Sequence, residues 1–149
     1  MTETIRLAVD SDLESISTCA RLAYLVYVER IGREPSPMLA DYARHVDAGH
    51  VFVIGDEMSI FGYVIFCQSN NHVHLKNIAV LPDYQGHGLG RKLIGFVESQ
   101  ARRWGCRAVD LYTNEKMLEN LELYPKLGYE EIDRRCVDGF DRVFFRKAL

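Results

Sequence analysis

The sequence predicts an α/β fold with one mixed β-sheet, in a single domain over residues 1–149. Three observations lead to this fold class. Apolar residues recur with the period of a strand in some runs and of a helix in others. Gly55-Asp56-Glu57 and Asp138-Gly139 are typical hairpin turns between strand-like runs. Helical runs separate the later strands, which indicates at least one parallel strand pair. The predicted order is β-α-α-β-β-β-α-β-α-β-β.

The first half of the chain is predicted to contain four strands and two helices. Residues 5–9 alternate like a short strand, and Asp10-Ser11-Asp12 is expected to cap the helix that follows. Gly32 ends that helix, and a shorter one is expected at 38–48. Strands are expected at 50–54, 59–68 and 72–81. The apolar residues expected to face the core from the first helix are Leu13, Ile16, Ala20, Leu22, Ala23, Tyr24, Val26 and Tyr27.

The second half begins with a helix from about Gly88 to Gly105, because apolar residues from Leu89 to Trp104 share one helical face. A strand at 107–112 and a helix at 115–127 follow, and Pro125 is expected to kink or tighten the last turn of that helix. Strands at 129–137 and 142–146 complete the sheet.

Composition disfavours several classes of function. The 149 residues are 48% hydrophobic, and 18 basic and 21 acidic residues give a net charge of −3. This balance disfavours nucleic acid or an anionic membrane as a partner. No run of 18 apolar residues suggests a membrane span, and no apolar signal core follows the N-terminus. The four cysteines show no metal-ligand spacing, so we expect reduced, buried thiols, no metal and a cytoplasmic location.

The most informative segment is the glycine-rich loop at residues 85–91, which follows a strand and opens a helix. Its glycines let backbone N–H groups converge, and the helix N-terminus adds partial positive charge, so the loop is typical of a phosphate site. The dinucleotide pattern fails because Arg91 stands where its third glycine belongs, and the Walker pattern lacks its lysine. The remaining pattern is Gln-x-x-Gly-x-Gly, formed by Gln85, Gly88 and Gly90. The alternative interpretation is a glycine-rich turn without a ligand.

With the preceding Ile-Ala-Val-x-Pro-x-Tyr, this loop resembles the acetyl-CoA pyrophosphate loop of the GCN5-related N-acetyltransferase (GNAT) superfamily. The resemblance covers the chain in element order and is most specific over residues 75–129. It implies a GNAT fold and an enzyme that moves an acetyl group from acetyl-CoA to a primary amine of a small molecule or peptide, by direct attack. It also implies an acetyl-CoA site at Ile78, Ala79, Val80, Gln85, Gly86, His87, Gly88, Leu89, Gly90 and Arg91, with the Val80 N–H facing the thioester oxygen.

A second matching piece is Tyr124-Pro125-Lys126-Leu127-Gly128-Tyr129, similar to the Tyr-x-x-x-Gly-Phe/Tyr of that family. The resemblance implies that Tyr124 protonates the departing CoA thiolate, a transfer between groups of similar pKa. The alternative is that Tyr124 is a core aromatic residue.

The chain departs from the family at two positions. Met117 stands where many relatives carry a pantetheine-binding Asn, so Asn114 or Asn120 is expected to supply that amide contact. Asn114 is equally suited to cap the following helix. Lys76 stands where many relatives carry a Glu that deprotonates the amine.

His74 is our candidate for the missing general base, directly or through water, because its pKa lies naturally near working pH. The alternative is a half-exposed strand histidine without a catalytic role. Glu29 and Glu34 are weaker candidates for the base. Lys76 also leaves open a non-catalytic module that senses acyl-CoA. Acceptor specificity is expected from residues 24–42 and 138–142, and one sequence leaves a homodimer open.

Overall fold

The computed structural model describes residues 3–149, and within them it contains seven strands and four α-helices in the predicted order. The mixed α/β fold class is thereby confirmed. The strands are β1 (Thr4–Leu7), β2 (Val51–Gly55), β3 (Ile60–Ser69), β4 (His72–Val80), β5 (Ala108–Asn114), β6 (Glu130–Val137) and β7 (Phe140–Ala148). The α-helices are α1 (Leu13–Ile31), α2 (Tyr42–Asp47), α3 (Leu89–Arg103) and α4 (Leu118–Lys126).

The chain divides into two compact units. The first unit comprises the chain up to Phe66 together with Asn77–Phe96, and the second comprises Cys67–Lys76 together with Val97–Leu149. Strand β4 and helix α3 each contribute residues to both units. That residues 1–149 form a single domain stays a prediction.

In the first unit, β2 pairs antiparallel with both β1 and β3. Ile16, Cys19 and Ala20 of α1 are buried in a cluster with residues of α2, β2 and β3. The prediction that Leu22 and Val26 belong to the core was wrong, since they are 41% and 61% exposed. The helical pattern alone predicted too wide an apolar stripe, because apolar residues cover much of the α1 circumference.

The start of α1 also differs from the prediction. A short 3₁₀ turn occupies Asp10–Asp12, and no side chain caps α1. The Asp12 carboxylate instead accepts hydrogen bonds from the Val9 N–H at 2.8 Å and from both terminal nitrogens of Arg6 at 2.8 and 2.9 Å. Gly32 ends α1 with a φ of 87°, as predicted.

In the second unit, β4 pairs in parallel with β5 over His72–Leu75 and Ala108–Leu111, which confirms the predicted parallel element. Strand β7 pairs antiparallel with both β5 and β6. Asp138 and Gly139 have φ values of 54° and 80°, the conformation that tight hairpin turns require. Trp104, which was predicted to share the apolar face of this helix, follows α3 and is 45% exposed.

Helix α4 is shorter than the predicted 115–127. Leu118 at the start of α4 is exposed, whereas Met117 just before the helix is buried. Cys19 and Cys106 are buried free thiols, but Cys136 is exposed, contrary to the expectation of four buried cysteines. Across residues 3–149, no helix is both long enough and apolar enough to span a membrane.

Candidate active site

The glycine-rich loop lies between a 3₁₀ turn at Pro82–Tyr84 and α3, and residues 85–88 are exposed. Gly86 and Gly88 have φ values of 83° and 80°, which L side chains rarely adopt, so the backbone course of this loop depends on glycine. The first hydrogen bond of α3 joins the Lys92 N–H to the Gly88 carbonyl at 3.1 Å. The preceding N–H groups, those of residues 89–91, therefore have no acceptor within the helix. Such donors at an exposed helix N-terminus suit a phosphate group.

Gln85 joins this loop to the end of β4. Its side-chain Nε2 donates a hydrogen bond to the Val80 carbonyl at 2.9 Å. The Tyr84 ring stacks on Phe61 of β3, with ring centroids 4.1 Å apart. The Gln85 hydrogen bond and the stacking of Tyr84 on Phe61 thus hold the loop against β3 and β4 in the first unit.

Residues 78–80 form the last part of β4. The β4–β5 ladder ends at Leu75, three residues before Ile78. The Tyr24 hydroxyl of α1 donates a hydrogen bond to the Ile78 carbonyl at 2.7 Å. A Cβ atom added at Gly62 of β3 would lie only 2.6 Å from the Ala79 carbonyl oxygen. The backbone of this segment is therefore held closely from both α1 and β3.

A buried polar network lies directly beside this segment. The Tyr63 hydroxyl donates to Asn77 Oδ1 at 3.0 Å, and Asn77 Nδ2 donates to the Tyr42 hydroxyl at 2.9 Å. The two hydroxyl oxygens are 3.0 Å apart, and Tyr42 also donates to the Pro37 carbonyl. Burial raises the pKa of Tyr63 well above its usual value, so its phenol stays neutral. Sequence reasoning missed this network, because residues 37, 42, 63 and 77 share no spacing pattern.

In the second unit, the candidate base His74 and its neighbour His72 both approach the carboxylate of Asp110. Its Nδ1 is 3.9 Å from Asp110 Oδ2, whereas His72 Nδ1 approaches the same oxygen to 2.8 Å. Arg146 donates to Asp110 through Nε at 2.6 Å. Burial opposes ionisation of Asp110, but the hydrogen bonds from Arg146 and His72 outweigh it and lower the pKa of the carboxyl group. The His74 side chain is 39% exposed, so water reaches it.

Tyr124 lies near the end of α4 and is 4% exposed. Its ring packs against Tyr129 and Phe145, with centroids 5.9 and 5.6 Å apart. The Tyr129 hydroxyl donates to Glu98 at 2.9 Å, and burial raises the pKa of this phenol. This packing fits the core-aromatic interpretation of Tyr124, and its role as an acid stays a prediction.

The two candidate asparagines lie near the junction of β5 and α4. Asn114 Oδ1 accepts a hydrogen bond from the Lys116 N–H at 2.9 Å. It closes a turn after β5 and does not cap α4, whose N-terminal cap residue is Met117. Asn120 Nδ2 donates to Thr113 Oγ1 at 3.0 Å. Within residues 3–149 no group of three or more His, Cys, Asp or Glu side chains could hold a metal ion.

Comparison with known proteins gives one family match. The model of the acetyltransferase (GNAT) family matches residues 14–129. The chain is 36% identical over 76 residues to ribosomal protein bS18-alanine N-acetyltransferase of Haemophilus influenzae, covering 51% of each chain. It is 31% identical over 85 residues to aminoglycoside N(6')-acetyltransferase type 1 of Salmonella typhimurium, covering 57% of this chain and 54% of that one. The chain thus aligns with about half the length of these curated relatives.

Solved structures show the same fold at lower sequence identity. The PaiA N-acetyltransferase of Thermoplasma acidophilum, in complex with coenzyme A, superposes with a TM-score of 0.82 at 19% identity over 100% of both chains. The ribosomal-protein-S18-alanine N-acetyltransferase of Escherichia coli gives a TM-score of 0.79 at 22% identity, covering 99% of this chain and 94% of that one.

Proposed function

The chain belongs to the acetyltransferase (GNAT) family, and from this premise we propose that it transfers an acetyl group from acetyl-CoA to a primary amine. The observation that carries the proposal is the loop at residues 86–91. Two glycines with positive φ lead into a helix whose first N–H groups have no intrahelical acceptor. The matching curated relatives carry the names of N-acetyltransferases, and one solved structure with the same fold holds coenzyme A.

We assign the binding of acetyl-CoA to two backbone segments of the first unit. The N–H groups of residues 86–91 hold the pyrophosphate, and Arg91, which is exposed, adds a positive charge. The backbone of residues 78–80 pairs with the pantetheine arm like an added strand. The side-chain amides of Asn114 and Asn120 are the candidates for a further contact to pantetheine. In Asn120, the side-chain oxygen Oδ1 is the acceptor available for this contact.

The reaction assigns one task to each remaining group. Acetyl-CoA supplies the acetyl group on a thioester. His74, directly or through water, takes the proton from the attacking ammonium, because only the free amine has a lone pair. The Val80 N–H stabilises the negative charge that develops on the thioester oxygen. When the C–S bond breaks, Tyr124 gives its proton to the departing thiolate, and Tyr124 is reprotonated by the second proton that the nitrogen loses as the amide forms. The nitrogen attacks the acetyl carbon directly while both substrates are bound, so no acetylated enzyme forms.

The acceptor is an amine on a small molecule or a peptide. The names of the curated relatives include both kinds, since one acts on the alanine of a ribosomal protein and another on an aminoglycoside. We place the reaction in the cytoplasm. We also propose that the protein can form a homodimer, which sedimentation would test.

Calorimetry with acetyl-CoA and with CoA tests the proposal first. We expect micromolar binding that a Gly88→Trp variant loses. Gly88 has a φ of 80°, which a residue with a side chain rarely adopts, so the substitution strains the phosphate-binding backbone and changes its course. Turnover is then measured across a panel of amines, with Tyr124→Phe and His74→Ala. We expect Tyr124→Phe to lower kcat while leaving acetyl-CoA affinity unchanged, and His74→Ala to lower kcat/KM for the amine.

The outcomes separate the two candidate functions. Absence of binding to acetyl-CoA and CoA contradicts the proposal. Tight binding without turnover on any amine supports the alternative, a non-catalytic module that senses acyl-CoA. The specific observation that favours this alternative is Lys76, a cation at the position where many relatives carry a carboxylate base.

A further inference from the structure

The second unit carries an open groove across the face formed by β4, β5, β7 and β6. Its volume is about 430 Å³, and its walls include His74 and Lys76 of β4, Asp110 of β5, Arg135 of β6 and Arg146 of β7. This volume lies in the range of small-molecule sites. The candidate base His74 therefore shares one cavity with several charged groups.

The carboxylates of this groove are already engaged. Asp110 binds Arg146 and His72, as described above. Asp133, the second carboxylate of the lining, accepts a hydrogen bond from Arg135 at 3.0 Å. No carboxylate of the lining is left to bind an added cation.

Lys76 is different, because it forms no ion pair with any residue in the range 3–149. Its side chain is exposed in the groove. Apart from His74, the lining holds three cationic side chains and two carboxylates, so one positive charge is in excess. This net positive charge favours a ligand that carries an anionic group.

The floor of the groove is aromatic. The rings of Tyr112 and Phe144 lie with centroids 5.7 Å apart, and the Arg135 guanidinium covers Phe144 at 4.1 Å. Such a floor suits a flat or apolar body, while the charge suits an anionic group on that body.

We propose that the groove binds the acceptor through an anionic group, a carboxylate or a phosphate, and that Lys76 holds this anion. The inference rests on the proposed function, because it identifies the ligand of the groove as the amine that is acetylated. It gives Lys76 a task where a carboxylate base is missing: Lys76 positions the acceptor and His74 removes its proton.

Three matched amines test the inference: tyramine, 4-(2-aminoethyl)benzoate and tyramine O-phosphate. They share an aromatic body and a primary amine and differ in the neutral, carboxylate or phosphate group at the far end. We expect kcat/KM for at least one anionic amine to exceed that for tyramine by roughly fivefold or more, and the better of the two identifies the anion. Lys76→Gln should abolish this preference. Lys76→Arg should retain it.

Lys116→Gln is the control, because Lys116 is also an exposed lysine of the second unit but lies outside the groove. It is expected to behave like the native protein. Equal kcat/KM for all three amines, or a preference that Lys76→Gln does not change, overturns the inference while leaving the acetyltransferase proposal intact.

A second readout does not depend on turnover. Amide chemical shifts are followed by NMR during titration with 4-methylbenzoate or 4-methylphenyl phosphate, and with neutral 4-methylbenzamide, without acetyl-CoA. We expect saturable shifts around residues 74–76 and 110–112 with an anionic probe only, lost in Lys76→Gln and kept in Lys116→Gln. If acetyl-CoA does not bind, the acetyltransferase proposal fails, and this titration still decides whether the groove is an anion site. Shifts of equal size with the neutral probe, or none with either anion, contradict it.

Discussion

Replacing Gly88 by alanine tests whether the conformation of the loop, rather than the mere presence of small residues, makes the phosphate site. Gly88 has a φ of 80°, and a Cβ atom added there would meet nothing within 4 Å. The substitution therefore causes backbone strain without a steric clash. Gly95 in the middle of α3 is the matched control, because an added Cβ there also meets nothing and its φ is not positive.

The two changes should have opposite effects on stability. Alanine in the left-handed region costs about 1–2 kcal/mol. Alanine for glycine at an exposed position inside a helix gains about 0.5–1 kcal/mol. For a chain of this length, 1 kcal/mol corresponds to a shift in Tm of roughly 3 °C. We therefore expect Gly88→Ala to lower Tm by roughly 3–6 °C and Gly95→Ala to raise it by about 2–3 °C.

Binding separates strain from general destabilisation. If Gly88→Ala relieves its strain by rotating the backbone, the N–H groups of the loop no longer converge. Affinity for CoA, measured by calorimetry well below both melting temperatures, should then fall by roughly tenfold or more, the loss expected for one charge-assisted hydrogen bond. Gly95→Ala should bind like the native protein. An unchanged Tm together with unchanged CoA affinity in Gly88→Ala would refute the reasoning.

Three further predictions concern charge, buried polarity and thiols. Burial opposes ionisation of Asp110, but hydrogen bonds from Arg146 and His72 lower the pKa of this carboxyl group. Its stabilising effect is therefore present above the unfolded pKa and is lost as the pH falls through the folded value. In urea titrations, Asp110→Asn should lose less stability than the native protein as the pH falls below about 4. Tyr63→Phe removes a hydroxyl from a buried polar network. The free energy of unfolding, measured in urea, should fall by about 1–3 kcal/mol. A change near zero would mean that water replaces the hydroxyl. The thiol reagent DTNB should label the exposed Cys136 in the folded protein. Burial raises the pKa of Cys19 to about 12, so Cys19 should react only after unfolding. Rapid labelling of Cys19 in the folded protein would contradict the packing of α1.

Local patterns were sufficient for much of the fold. The hairpin at Asp138-Gly139 and the end of α1 at Gly32 depend on backbone conformations that few residues adopt, so neighbouring residues suffice to predict them. The same holds for the glycine-rich loop. The orientation of α1 was not predictable in this way. Val26 fits a helical apolar stripe as well as Ile16 does, and only packing against β2 and β3 decides which of them is buried.

In the candidate site, too, some features follow from local sequence and others only from the tertiary structure. The sequence by itself determined the order of elements, the glycine-rich loop and the family, because each rests on residues close together in the chain. The tertiary structure decided which distant side chains meet. His72, Asp110 and Arg146 come together only because β4, β5 and β7 are neighbours in register. That pairing depends on hydrogen bonds between strands far apart in sequence, and no local pattern records the register. The excess positive charge of the groove at Lys76 likewise results from this pairing of strands and not from any local sequence pattern.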